Sequence, residues 1–232
     1  MKFTFAFQPI VDVSSHTVFS YEALIRGPGN ESAGVIISQV QPSDLCEFNS
    51  RARRDALKMA VSLGVESLLN INFTPGSLVR SDATIHDTMD AAARLGFAPR
   101  RIVVEIMESE ALREHAGFVA LINQFRGRGI KVAIDDFGAG YSGLNLLADF
   151  QPDMVKLDMH LIRNIESHGP RQAIVRAVAQ VCFDLGIELI AEGVETITEY
   201  QWLREQQIDL YQGYLFARPG FECLPEVHYP SQ

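Results

Sequence analysis

Eight short apolar runs punctuate this chain. They close near Ile10, Glu22, Asn72, Glu105, the Asp135 and Asp136 pair, Lys156, Glu192 and Gln212, so nearly all end on an oxygen donor or a lysine. Four follow a helix-like stretch closed by glycine: Gly64 before VESLLNIN, Gly96 before the run through Glu105, Gly129 before IKVAIDD and Gly186 before IELIAEG. Glycine just past a helix adopts the left-handed cap conformation without a steric penalty, so each marks a hand-off from helix to strand. A repeating cycle of strand, polar tip, helix and glycine predicts an α/β fold, a (β/α) barrel whose strand ends gather around one mouth.

A chain of 232 residues, 47% of them apolar, suffices for one such barrel and requires no second domain, so the expectation is one domain over residues 1–232. No apolar run reaches the roughly 18 residues that span a bilayer. MKFTFAFQPIVDV turns polar at Gln8 and Asp12, too early for a secretory signal. Cys46, Cys182 and Cys223 are odd in number and far apart, which points to a reducing, cytoplasmic setting and away from disulfides or a thiolate metal site. A net charge of −9 argues against duplex nucleic acid as a partner. The cluster Arg51, Arg53, Arg54 and Lys58 reads as a solvated helix face. A phosphate-bearing ligand would then be drawn by bound divalent cations, not by the chain's own charge.

FAFQPIVDV and TVFSYEALIRG alternate as strands joined through SSHT. The longest irregular stretch, 27–49, reads as a binding loop or as an extra helix over the barrel mouth. Helical periodicity covers 50–63, 82–95, 111–126, 143–149, 171–185 and 197–206, and the segment after Arg218 reads as an irregular closing tail.

Asp135 and Asp136 are the sharpest local feature. Consecutive strand residues point to opposite faces, so both reach one site only if the strand bends before Phe137. Two ionised carboxylates that close repel each other unless a cation lies between them. Taken alone, the pair reads better as one helix-capping aspartate and one solvated acid than as a metal bridge. With Glu22, Asn72, Glu105 and Glu192 at other strand ends it becomes part of a hard-oxygen donor set without Cys or His, suited to Mg²⁺ or Mn²⁺. Lys156 can face the same mouth, or snorkel along the sheet; Gln212 can face it too, or sit as a satisfied core amide. Gly138, Gly140 and Gly143 spell G-x-G-x-x-G between a strand and a helix, but Asp135 and Asp136 would stand beside the pyrophosphate of a dinucleotide. The string DFG lacks the HRD and glycine-rich lid of a kinase.

From QPIV at Gln8 through YQGYLFARP ending at Pro219, the chain resembles the EAL-domain family, the cyclic-di-GMP-specific phosphodiesterases of bacteria. Glu22, Ala23 and Leu24 are the namesake, followed by Ile25 and Arg26; NINF, EIMES, DDFGAGYSGL, VKLD, AEGVE and QGY follow in order. The resemblance implies a modified TIM (β/α)8 barrel with one antiparallel strand, and hydrolysis of cyclic di-GMP to linear pGpG, lowering a second messenger of biofilm formation and motility. It implies two divalent cations, Mg²⁺ or Mn²⁺. Glu22, Asn72, Glu105 and Asp135 would hold one; Asp135 would bridge to a second, held also by Asp136 and Glu192. Glu108 would steady the loop through Gly138 and Gly140, and Glu195 of AEGVE is grouped with these as a supporting residue. Lys156 would orient water or offset transition-state charge, Glu192 is a candidate base, and Gln212 would position Lys156 or water. Gln8, Leu24 and Arg26 are the candidate substrate contacts, Arg26 being suited to phosphate. Met107 stands where the family usually has threonine and Gly27 where tryptophan is common. The resemblance also admits a homodimer, and no sensory or GGDEF cyclase domain fits in this length. Two rivals remain at this point: a catalytically silent receptor or interaction module of the same fold, and an enolising barrel enzyme using Lys156 as base.

Overall fold

The computed structural model describes residues 1–73, 81–113, 115–140 and 143–230. Nine strands are present among them: β1 (Thr4–Asp12), β2 (Thr17–Arg26), β3 (Leu68–Asn72), β4 (Ile102–Met107), β5 (Lys131–Phe137), β6 (Met154–Leu157), β7 (Glu188–Ala191), β8 (Leu210–Tyr211) and β9 (Gly220–Phe221). Their order, β2 through β8 and then β1, closes because β1 also pairs with β2. Strands β2 to β8 run parallel; β1 runs antiparallel to both of its barrel neighbours. The result is the expected eight-stranded mixed barrel with one reversed strand, plus β9. Because β8 meets β1 only at Val11 and Asp12, β9 completes that seam beside Ala6 and Phe7.

The helices are α1 (Ala33–Ile37), α2 (Leu45–Ser62), α3 (Ser81–Arg94), α4 (Glu108–Arg113), α5 (His115–Gly127), α6 (Gly143–Phe150), α7 (Met159–Ile162), α8 (Gly169–Leu185) and α9 (Ile197–Glu205). The expected hand-off glycines Gly64, Gly96, Gly129 and Gly186 all have positive φ. Three differences from the sequence reading are local. Helix α2 begins at Leu45, earlier than expected, where Phe48 packs edge-on against Phe3. The stretch 111–126 divides into α4 and α5. Arg53 does not join the solvated face of α2: it is 3% exposed, donates from Nε to Thr88 Oγ1 and lies over the Phe73 ring.

Two apolar layers follow from the period-two alternation of the strands. Outward residues such as Leu69, Ile71, Ile102, Val104, Ile106, Val132 and Val155 pack against Leu57, Ala60, Phe125, Leu146 and Val175 of the helices. Each large apolar side chain buried this way contributes about 1.5–3 kcal/mol. Inside the barrel, Ile10, Val103, Ala133, Met154, Ile190 and Leu210 form a separate apolar floor, with Phe19 and Leu68 against it. This floor is what places the chemistry. Two residues nearer the mouth from each of its six members stands a polar one: Gln8, Glu105, Asp135, Lys156, Glu192 and Gln212. The reversed strand counts backwards, so Gln8 reaches the mouth and Ile10, expected as a strand tip, lies in the floor. Glu22 is likewise mid-strand, opposite Gln8, and β2 continues to Arg26.

Behind the mouth, the chain leaving β8 crosses the loop after β7. Val194 N–H donates to the Gln212 carbonyl, Leu215 N–H donates to the Val194 carbonyl, and a Cβ on Gly213 would lie 2.0 Å from the Val194 carbonyl oxygen. Gly213→Ala must therefore push apart the segments carrying Gln212 and Glu192. A cost of roughly 1–3 kcal/mol translates to a melting temperature lower by about 2–12 °C, with a parallel loss of whatever activity those residues support. Melting at the wild-type temperature would show that the two segments separate freely.

Candidate metal centre and active-site cleft

At the centre of the mouth is Lys156, 1% exposed. Its Nζ lies 2.7 Å from Glu105 Oε1, 2.7 Å from Glu192 Oε1, 3.0 Å from Asp135 Oδ1 and 3.3 Å from Glu22 Oε2. The lysine stands on β6 and its partners come from β2, β4, β5 and the residue after β7, so only barrel closure brings them together. Gln212 Nε2 donates to Glu22 Oε2 at 2.8 Å, where Lys156 or water was the expected partner. Asn72 makes a long contact, Nδ2 to Glu22 Oε1, of 3.4 Å.

Both members of the aspartate pair reach the mouth through a bulge. Ile134 pairs with Val155 and Phe137 with Leu157, so β5 carries one residue more than β6 over that interval, and Asp136 has φ 54°. A non-glycine residue in the left-handed region stores backbone strain that the surrounding structure must hold. It is the bend that the adjacent carboxylates required.

The electrostatics are those of one cation shared among too many acids. Burial opposes charge on Glu22, yet Lys156 and the amides of Gln212 and Asn72 prevail and hold its carboxyl below the usual range. Burial drives Glu105 well above its ordinary value, with Glu22 and Asp135 adding to the shift against Lys156. Glu192 is raised in the same way by burial, with Asp135 and Glu22 against Lys156. Asp136 is pushed up to about 6 by burial and by Asp135 and Asp158. Burial disfavours the ammonium of Lys156, but Asp135, Glu105, Glu192 and Glu22 together raise it well above its ordinary value.

The donor geometry fits divalent metal. Glu22, Glu105 and Asp135 offer oxygens within 4.8 Å of one another, as do Asp135, Asp136 and Glu192, so two triads share Asp135. Glu105 Oε2 is buried and has no hydrogen-bond partner among the described residues. A bare buried carboxylate oxygen costs about 1–3 kcal/mol or more, and hard oxygen donors in this number suit Mg²⁺ or Mn²⁺. A cleft of about 300 Å³ opens over the centre, lined by Gln8, Glu22, Asp135, Asp136, Glu192 and Gln212 among others.

Around this core, Glu108 Oε2 accepts from Gly138 N–H at 2.9 Å and Gly140 N–H at 3.2 Å. Those amides are the ones a dinucleotide pyrophosphate would need, so the glycine string is occupied internally. Glu195 lines the cleft and accepts from Arg163 Nη2 at 2.8 Å. Gln8 Nε2 donates to the Ala217 carbonyl at 3.2 Å. Leu24 and Arg26 follow Glu22 on the same face of β2; Leu24 and Met107 line an apolar groove under α1, while Arg26 Nη1 donates to the Ile25 carbonyl. The irregular stretch thus supplies a short helix beside the mouth. Gly27 is closed over by Glu31, whose Oε2 would lie 2.0 Å from a Cβ there, so a larger residue must displace that side chain.

The sequence reading missed four residues here. Met159 and Tyr214 line the cleft, and Arg218 Cζ lies 4.2 Å from the Tyr214 ring centroid. Asn70, fully buried, donates from Nδ2 to Glu105 Oε1 at 2.8 Å; its signal was the two-residue repeat of NIN.

Comparison with known proteins bears on this arrangement. Residues 1–219 match the family described as EAL domain. The blue light- and temperature-regulated antirepressor BluF of Escherichia coli K12 is 34% identical over 98% of this chain and 57% of BluF. The cyclic di-GMP phosphodiesterase PdeR of the same organism is 36% identical over 67% of this chain and 23% of PdeR. The structure of Klebsiella pneumoniae BlrP1 as a manganese and cyclic-diGMP complex at pH 6 has a TM-score of 0.94 and 39% identity, over 98% of this chain and 58% of that one. The chain therefore spans less than three-fifths of the length of each of these relatives. No helix among the described residues is long and apolar enough to cross a membrane.

Proposed function

The chain belongs to the EAL domain family, and from that premise we propose that it hydrolyses cyclic di-GMP to linear pGpG, using two divalent cations, Mg²⁺ or Mn²⁺. The observation that carries this reading is the pair of carboxylate triads sharing Asp135 around a buried lysine. Glu22, Asn72, Glu105 and Asp135 would hold one cation, and Asp135, Asp136 and Glu192 the other. When bound, such cations supply charge neutralisation at the phosphoryl oxygens and a more acidic attacking water. The chain's own groups do the rest. Lys156 stays charged beside the triads and offsets negative charge that grows on the phosphoryl group. Glu192 lines the cleft beside Lys156 and is the group assigned to receive the proton of the attacking water. Gln212 holds the Glu22 carboxylate in place, and Glu108 holds the backbone at Gly138 and Gly140 next to the aspartate pair. Gln8, Leu24 and Arg26 would contact the dinucleotide. The cytoplasmic setting, the single domain and the homodimer belong to the same proposal.

BluF, named as an antirepressor, favours one second reading: a receptor or interaction module in which the centre is idle. Incubation with cyclic di-GMP and Mg²⁺ or Mn²⁺, followed by chromatography and mass spectrometry, separates the two. Metal-dependent pGpG that disappears with EDTA is the expected result. Bound but intact cyclic di-GMP would replace the hydrolase with the receptor, and neither binding nor product would remove the nucleotide from the account.

A further inference from the structure

The interior of the barrel beneath the charged ring is apolar, with buried exceptions on the β2–β3 side. Asn70 stands in register with Val103 of the floor on one side and with Glu22 on the other. It is 0% exposed and its Oδ1 has no hydrogen-bond partner among the described residues. Leucine or valine would fill such a place at less cost, because a buried polar atom left unpaired is destabilising. What the amide does make is one contact: its Nδ2 donates to Glu105 Oε1 at 2.8 Å.

That oxygen is also the one Lys156 holds, at 2.7 Å. Both donors therefore act on Oε1 and leave Oε2, equally buried, without a partner. Lys156 cannot fix this orientation alone, since its ammonium also serves Glu22, Asp135 and Glu192. Resting on the metal reading above, we infer that Asn70 is a positioning residue, which locks the Glu105 carboxylate so that Oε2 is presented to the cation of the Glu22, Glu105 and Asp135 triad. It touches neither substrate nor cation itself. Partners that orient a metal ligand in this way typically contribute about 10–100-fold to metal affinity.

The test is Mn²⁺ titration of the chain without nucleotide, by calorimetry and by the electron paramagnetic resonance signal of free Mn²⁺, together with thermal melting in EDTA. Asn70→Leu keeps the volume and removes the donor. It is expected to melt no lower than the wild type in EDTA, yet to bind Mn²⁺ about 10-fold more weakly at one of two sites. Asn70→Ser, which retains a hydroxyl donor in a smaller side chain, should bind at least as tightly as Asn70→Leu. Unchanged affinity at both sites in Asn70→Leu overturns the inference while leaving the metal centre standing. A lower melting temperature in EDTA for Asn70→Leu, with Mn²⁺ affinity falling equally at both sites, makes the amide structural and also overturns it. A wild-type chain that takes up no Mn²⁺ removes the metal reading and this inference together.

Discussion

Asp135→Asn is expected to reduce hydrolysis of cyclic di-GMP by on the order of 10²–10³-fold or more, with little change in melting temperature in EDTA. The substitution keeps shape and removes one charge, and Asp135 is the carboxylate that the two triads share. Its loss weakens both cation sites at once, whereas Asp136→Asn takes charge from one triad alone and should retain more turnover. Steady-state kinetics and Mn²⁺ stoichiometry measured on the same samples decide the matter. An Asp135→Asn protein that binds two Mn²⁺ and turns over like the wild type would remove the shared ligand from the mechanism.

Lys156→Met should have the largest effect on stability. Methionine matches the stem of lysine but leaves Glu22, Glu105, Asp135 and Glu192 without the ammonium they share. Breaking a buried charge pair by deleting one partner costs roughly 3–5 kcal/mol, which for a chain of this size lowers the melting temperature by about 6–20 °C in EDTA. Saturating Mn²⁺ should raise the melting temperature of the variant by more than it raises that of the wild type, because the cations then take over the neutralisation. Turnover should stay depressed by about 10²-fold even in excess Mn²⁺, since the fixed positive charge beside the phosphoryl group is gone. Equal melting of variant and wild type in EDTA would mean that the acids around Lys156 are mostly protonated in the metal-free chain.

Much of this site was legible because strands alternate and barrels converge. An apolar run that turns polar at its end marks a side chain aimed at the mouth, and Glu105, Asp135, Lys156, Glu192 and Gln212 were found that way. The glycines after helices were equally clear, and all four took positive φ. The reversal of β1 left no trace in its alternation, which is the same read in either direction; it came from family resemblance alone, and so Ile10 was taken for a tip when Gln8 is the residue at the mouth. Asn70 was passed over because a polar residue one step inside a strand resembles ordinary edge decoration until the register sets it beside Glu105. Arg53 was misread because its neighbours Arg51, Arg54 and Lys58 suggested a wet face, while Phe73 and Thr88, both distant in sequence, enclose it.

The apolar floor under the ring has a consequence for inheritance. The six side chains of that floor hold the strands together below the acids and owe nothing to them. Replacing a whole buried charge cluster by apolar residues of similar size is often neutral or stabilising by about 1–4 kcal/mol. A lineage could therefore discard the acids and lysine as a set and keep a sound barrel, free to be recruited as a scaffold for other partners. The reverse journey is harder, because each acid returned singly would be a burden until its neighbours had come back as well.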